Sequence, residues 1–113
     1  MFNTHLSGSK RWFYSSFFAV ATVCIIAFLR DYTFLSLVLL SLCSLGLIAT
    51  DGNKKSVHVF LAGFILGPLS EAFCVHFGAW EYSNAFMLGI PLYLPFVWGN
   101  AALYIKRIVF HWD

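Results

Sequence analysis

One acidic side chain, Glu71, lies inside the apolar run from Ser56 to Phe77, with no basic residue close to it in sequence. A charged side chain in a segment that crosses a bilayer costs about 2.5 to 3.5 kcal/mol on insertion scales. Acids in such positions mark proton relays, ion pathways or proton donors. His76 follows five residues later and could also exchange protons. Glu71 and His76 are therefore the candidate catalytic residues.

Aromatic and amide side chains are predicted to surround this acid. If the third and fourth apolar segments pair as helices, the residue count places Glu71 level with the start of the fourth. The predicted lining of one shared cavity is Trp80, Tyr82, Tyr93, Trp98 and Asn100. Asn100 would hydrogen-bond to Glu71, and aromatic faces would stabilise positive charge. Such a site suits protonating or holding an apolar, electron-rich molecule, or a cation that competes with a proton. The structural alternative is a protonated acid that only joins helices.

Short motifs in the same stretch add a family resemblance. They are Glu71, Phe77-Gly78, Tyr82, Leu88-Gly89, Pro91 and Trp98. They resemble the Glu, Phe-Gly, Tyr, Gly-x-Pro and Trp pattern of membrane proteins of carotenoid biosynthesis, of the hydratase and small lycopene cyclase type. The resemblance covers about a quarter of the chain. It implies that Glu71 donates a proton to a polyene or isoprenoid double bond.

The composition predicts a membrane protein. Of the 113 residues, 60% are hydrophobic and only 11% are charged, whereas soluble domains carry about 25% charged residues. The net charge of +2 is small and the basic residues are dispersed, which disfavours nucleic acid binding. The three cysteines, Cys24, Cys43 and Cys74, have no metal-binding spacing and predict no disulfide framework. We expect no metal site and no cofactor.

The elements that must position the site are helices. We expect an all-α fold, a single transmembrane domain over residues 1–113 built as a bundle of four helices. The predicted spans are about 12–29, 32–50, 56–77 and 91–109, each near the length that crosses a bilayer. Pro68 predicts a kink before Glu71, and Pro95 is expected to leave the carbonyl of Pro91 free. The connection from Gly78 to Gly89 is predicted to cover the bundle as a lid.

The basic residues predict an orientation. Six of the seven fall on one side of the predicted spans, namely Lys10, Arg11, Lys54, Lys55, Lys106 and Arg107, and Arg30 falls on the other. This asymmetry predicts a bacterial-type inner membrane protein with both termini in the cytoplasm. Aromatic residues near the span ends, Trp112 among them, are typical of an interfacial belt.

Two glycines in the third span suggest a partner surface. Gly63 and Gly67 form a GxxxG element, which allows close helix contact and could serve a homo-oligomer or another membrane protein. The expected ligand is a membrane lipid or an apolar small molecule. The alternatives are a proton-coupled transporter or channel protomer, and an accessory subunit without chemistry. Small multidrug resistance transporters are similar in size, but they carry their essential acid in the first helix, and the span from Trp12 to Leu29 has none.

Overall fold

The computed structural model describes residues 8–52, 54–83 and 85–109. Within them the fold is all-α, with helices α1 (Gly8–Leu29), α2 (Thr33–Asp51), α3 (Lys54–His76) and α4 (Leu94–Val109). Trp112, which the sequence assigns to an interfacial belt, lies outside the described residues. The predicted fold class is thus confirmed as all-α with four helices.

Three of the helices are long and apolar enough to cross a membrane. They are α1, α2 and α3, with 22, 19 and 23 residues. The fourth predicted span, 91–109, is not supported at its predicted length, because α4 begins at Leu94 and has 16 residues. At about 1.5 Å per residue, α4 is about 24 Å long, which is less than a hydrocarbon core of about 30 Å.

Two prolines shape the ends of the site-bearing helices. Pro68 lies within α3, which continues through it to His76. Pro95 is the second residue of α4, where a missing N–H removes no intrahelical hydrogen bond. The carbonyl of Pro91 accepts a hydrogen bond from the N–H of Leu94 at 3.2 Å. The prediction that this carbonyl is free is therefore wrong, because a turn precedes α4.

The α3–α4 pair forms the most extensive helix contact of the described chain, followed by α1–α2. A Cβ on Gly63 would lie 2.7 Å from the Ala102 Cβ and from the Trp98 carbonyl oxygen. A Cβ on Gly67 would lie 2.1 Å from the Trp98 indole. The close contact predicted for GxxxG is therefore made inside the chain. Within the chain, α4 covers both glycines, and their use as a surface for a partner stays a prediction.

Hydrogen bonds between polar side chains join α1 and α2 to α4 inside the bundle. The Asn100 amide donates to the Thr22 hydroxyl at 3.0 Å, and its oxygen accepts from Ser44 at 2.6 Å. The Tyr104 hydroxyl lies 2.8 Å from the Ser16 hydroxyl. These bonds fix the rotation of α4, and so they determine which of its residues face α3.

Candidate functional site

The site is centred on the carboxylate of Glu71, which lies five residues before the end of α3. One carboxylate oxygen accepts a hydrogen bond from the Tyr82 hydroxyl, and the other accepts one from the Trp98 indole N–H. The two donors come from different elements, the loop after α3 and the first half of α4. Three of the predicted site residues are therefore brought together, as the sequence suggests.

A stripe of three residues on α3 explains why Trp98 reaches the acid. Gly63, Gly67 and Glu71 are spaced four residues apart, so they lie on one face of the helix. The indole of Trp98 occupies the space that a side chain at Gly67 would fill. One helical turn further along, the same face presents Glu71 to the indole nitrogen. The packing of α4 against α3 thus places the indole donor at the carboxylate.

A glycine turn brings Tyr82 back to α3. Gly78 has φ +84°, its N–H bonds to the carbonyl of Val75 at 3.0 Å, and the N–H of Ala79 bonds to Cys74 at 2.9 Å. This is a Schellman motif, which ends a helix and reverses the chain. The loop then returns toward α3, and a Cβ on Gly89 would lie 2.6 Å from Val75. The predicted lid is therefore a loop packed on the end of α3.

The surroundings of the Tyr82 phenol shift its pKa. Its partial burial raises the pKa of Tyr82 to about 12, and the neighbouring Glu71 carboxylate adds to the shift. A hydrogen bond from Trp80 lowers the pKa, and the nearby Tyr93 raises it slightly. The phenol therefore remains a proton-bearing donor to Glu71 at ordinary pH. Trp80 reaches the site indirectly, as a donor to Tyr82.

His76 lies on another flank of α3, away from the Glu71 hydrogen bonds. It lines an apolar groove of about 430 Å³ together with Ala72, Phe73, Val75, Leu88 and Gly89. The His76 ring also makes an edge-on contact with Phe77 at 5.0 Å between centroids. His76 is thus a wall of the adjacent groove and has no direct contact with the acid.

Tyr93 and Asn100 are buried in the bundle. The Tyr93 side chain packs with Ile25, Leu40 and Cys43 between α1 and α2. Asn100 is 1% exposed and is hydrogen-bonded to Ser44 and Thr22. The predicted bond from Asn100 to Glu71 is therefore wrong, because Asn100 faces α1 and α2 while Trp98, two positions earlier, faces α3. Asn100 holds the bundle together and does not line the cavity.

A second polar cluster is centred on Asp51 at the opposite end of the bundle. It is not part of the site predicted from the sequence. The Asp51 carboxylate pairs with Lys106 at 2.7 Å and with Arg107, and it accepts a hydrogen bond from Ser56. The pattern could have been found, because Asp51 ends the second span and the two basic residues end the fourth on the same side. This cluster ties α2, α3 and α4 together and provides no open site.

The surroundings of the two helix acids differ in charge. Asp51 is bonded to two cations, whereas the partners of Glu71 within the described residues are a neutral phenol and a neutral indole. The described chain also has no group of three side chains that could hold a metal ion. The Glu71 carboxylate is thus held in place by hydrogen bonds and has no cationic partner in the described part of the chain.

Comparison with protein-family models, with curated proteins and with solved structures gives no match for this chain.

Proposed function

We propose that this chain is a small multi-pass membrane protein that binds an apolar, lipid-like molecule beside Glu71. The observation that carries this proposal is the fixed carboxylate at the α3–α4 edge, next to the apolar groove beneath Leu88 and Gly89. Trp98 is 37% exposed, so the site is open to its surroundings at the flank of the helix pair. An anchored polar group beside an apolar groove is the usual composition of a small-molecule site.

The membrane arrangement is part of the proposal. Three helices can span, and we place α4 in the bilayer as a fourth because it packs against all three. The ends that carry most of the basic residues then face the cytoplasm of a bacterial-type inner membrane. Glu71 lies five residues, or about 7 Å along the axis, from the far end of α3, which places it in the outer leaflet.

Binding is favoured over proton donation by the direction of the hydrogen bonds. Both carboxylate oxygens accept, and O–H and N–H donors are the partners that an ionised carboxylate takes. A proton donor to a polyene, as the resemblance to carotenoid enzymes implies, needs a proton on one of these oxygens. A protonated carboxyl keeps acceptor capacity on both oxygens, but two donors match the ionised form better, so proton donation is the second candidate function.

The test is whether purified protein retains a lipid-like molecule through this site. The native protein, extracted in a mild detergent, should carry such material, which mass spectrometry detects. Trp98→Ala should lose it, because the indole forms a wall of the site and donates to Glu71. Trp12→Ala is the matched control, since Trp12 packs on Tyr104 at the other end of the bundle. Equal retention in both variants would refute the proposed site.

A second comparison separates a functional acid from packing. Glu71→Gln keeps the size of the side chain and removes the charge, and Glu81→Gln makes the same change on an exposed residue of the following loop. A binding or catalytic site predicts normal folding for both variants and loss of the ligand for Glu71→Gln alone. An accessory subunit without chemistry predicts no difference between them.

A further inference from the structure

We propose that the molecule held at Glu71 is an amphiphile with a quaternary ammonium group on an apolar chain. This inference rests on the proposed lipid-binding function and names its ligand class. It joins three features of the described chain, namely an uncompensated carboxylate, aromatic side chains around it and an apolar groove beside it.

The first feature is the missing positive charge. Both helix acids are built into hydrogen-bond networks, but among residues 8–52, 54–83 and 85–109 only Asp51 is matched by basic side chains, Lys106 and Arg107. The partners of Glu71 among the described residues, Tyr82 and Trp98, are neutral. A carboxylate at membrane depth is normally paired. A cationic group on the ligand would neutralise the Glu71 carboxylate, as Lys106 and Arg107 neutralise that of Asp51.

The second feature is the kind of cation that the surroundings fit. Hard metal ions such as Mg²⁺ and Ca²⁺ take about six or more oxygen ligands, and no metal-binding group of side chains occurs among the described residues. Aromatic rings instead recognise organic ammonium ions through their faces. Tyr82 and Trp98 contact the carboxylate directly, and Trp80 is linked to it through a hydrogen bond to Tyr82. The ring atoms beyond the donor groups remain available to a large, weakly hydrated cation.

The third feature is a place for the apolar chain. The groove of about 430 Å³ begins at Ala72, the residue after Glu71, and continues along Val75 and His76 toward the end of α3. Leu88 also lines the groove and has φ +56°, a left-handed conformation that branched and bulky residues avoid. An apolar side chain is thus held over the groove in a strained turn, as at many ligand sites.

The experiment compares two probes that differ only in the head group. Tetradecyltrimethylammonium and tetradecanol are titrated into the native protein in dodecyl maltoside, a detergent without charge or ammonium. Binding is followed through the indole N–H resonance of Trp98, which is assigned with Trp98→Phe. We expect the ammonium probe to bind at least about tenfold more tightly than the alcohol, a difference typical of a partly desolvated charge pair.

Variants then assign the head-group preference to the acid. Glu71→Gln should weaken the ammonium probe by about tenfold or more and leave the alcohol unchanged. Glu81→Gln, the loop control, should alter neither probe. The comparison of probes on the native protein alone remains decisive if Glu71→Gln fails to fold.

Three outcomes would overturn the inference. If the two probes bind the native protein equally, or if the ammonium probe fails to bind, the ligand does not carry an ammonium group. If Glu71→Gln binds the ammonium probe as well as the native protein does, the cation is not held by the acid. In each case, lipid-like material that is retained by the native protein and lost from Trp98→Ala would still support the proposed function, so the two failures are distinguishable.

Discussion

Replacing Gly67 with alanine should disconnect Trp98 from Glu71. The new Cβ would lie 2.1 Å from Cδ2 of the indole and 2.2 Å from its Cγ, both too close for any real contact. The clashing atoms all belong to the Trp98 side chain, so a rotation of the indole can relieve the clash. The indole must therefore rotate out toward the surroundings, where it can no longer donate to Glu71.

The loss of stability in Gly67→Ala is best measured against a second variant, Gly46→Ala. A Cβ on Gly46 of α2 would lie 2.4 Å from the ring of Phe18, so Gly46→Ala creates a similar clash away from the site. Overpacking costs about 1 to 3 kcal/mol in either variant, and about 1 kcal/mol is regained as helix propensity. Only Gly67→Ala also loses an interhelical hydrogen bond. Such bonds reach about 1.7 kcal/mol in a membrane protein, and the charged acceptor places this one near that limit.

Two measurements check this prediction. Unfolding in sodium dodecyl sulfate, followed by circular dichroism, should show Gly67→Ala to be about 1.5 kcal/mol less stable than Gly46→Ala, or about tenfold in the unfolding equilibrium. In a spectrum of the four indole N–H groups, Gly67→Ala should shift the Trp98 resonance to the position that it takes in Glu71→Gln. An unchanged Trp98 resonance in Gly67→Ala would refute the assigned packing.

Three further predictions concern the rest of the structure. Asp51→Asn should destabilise the protein by about 3 to 5 kcal/mol in the same unfolding assay, because buried cations lose their counter-charge, whereas the exposed Asp31→Asn should have little effect; equal stability of both would contradict the ion-pair cluster. Asn100→Ala should cost about 0.6 to 1.7 kcal/mol and leave ligand retention intact, and loss of the ligand would return Asn100 to the site. The Tyr82 phenol, with its pKa raised to about 12, stabilises the fold below its unfolded pKa of about 10, and this stabilisation is lost as pH rises through about 12. An ultraviolet titration should show a lower pKa for Tyr82 in Glu71→Gln, and an unchanged value would contradict the contact.

The sequence predicts the helices well because their signals are local. Apolar runs between charged residues indicate α1, α2 and α3 to within a few residues, and Gly52 and Gly78 end α2 and α3 with positive φ. The start of α4 is predicted three residues too early, because two prolines allow either a helix or a turn. The turn before Leu94 depends on contacts of Tyr93 with α1 and α2, which are distant in sequence.

The sequence correctly brings Glu71, Tyr82 and Trp98 together but wrongly adds Asn100. The reason is geometric. Depth along the membrane brings Glu71, Tyr82 and Trp98 to one level, but depth does not determine which way a helix is turned. Trp98 and Asn100 are two residues apart, so they point about 200° apart on a helix. Only one of them can face α3. The spacing of Gly63, Gly67 and Glu71 could have shown which α4 residue faces α3. A large side chain that packs against the two glycines must lie on the same face as Glu71.

The stripe of Gly63, Gly67 and Glu71 links the packing of α3 and α4 to the hydrogen bonding of the Glu71 carboxylate. Gly63 and Gly67 set the distance between α3 and α4, and Glu71 lies on the face that those glycines present. Any change that separates the two helices therefore also withdraws the indole donor from the carboxylate. A ligand that binds Glu71 and the Trp98 ring together would, for the same reason, draw α3 and α4 together. The proposed binding is thus coupled to the packing of the helix pair through Trp98, which contacts both Gly67 and the acid.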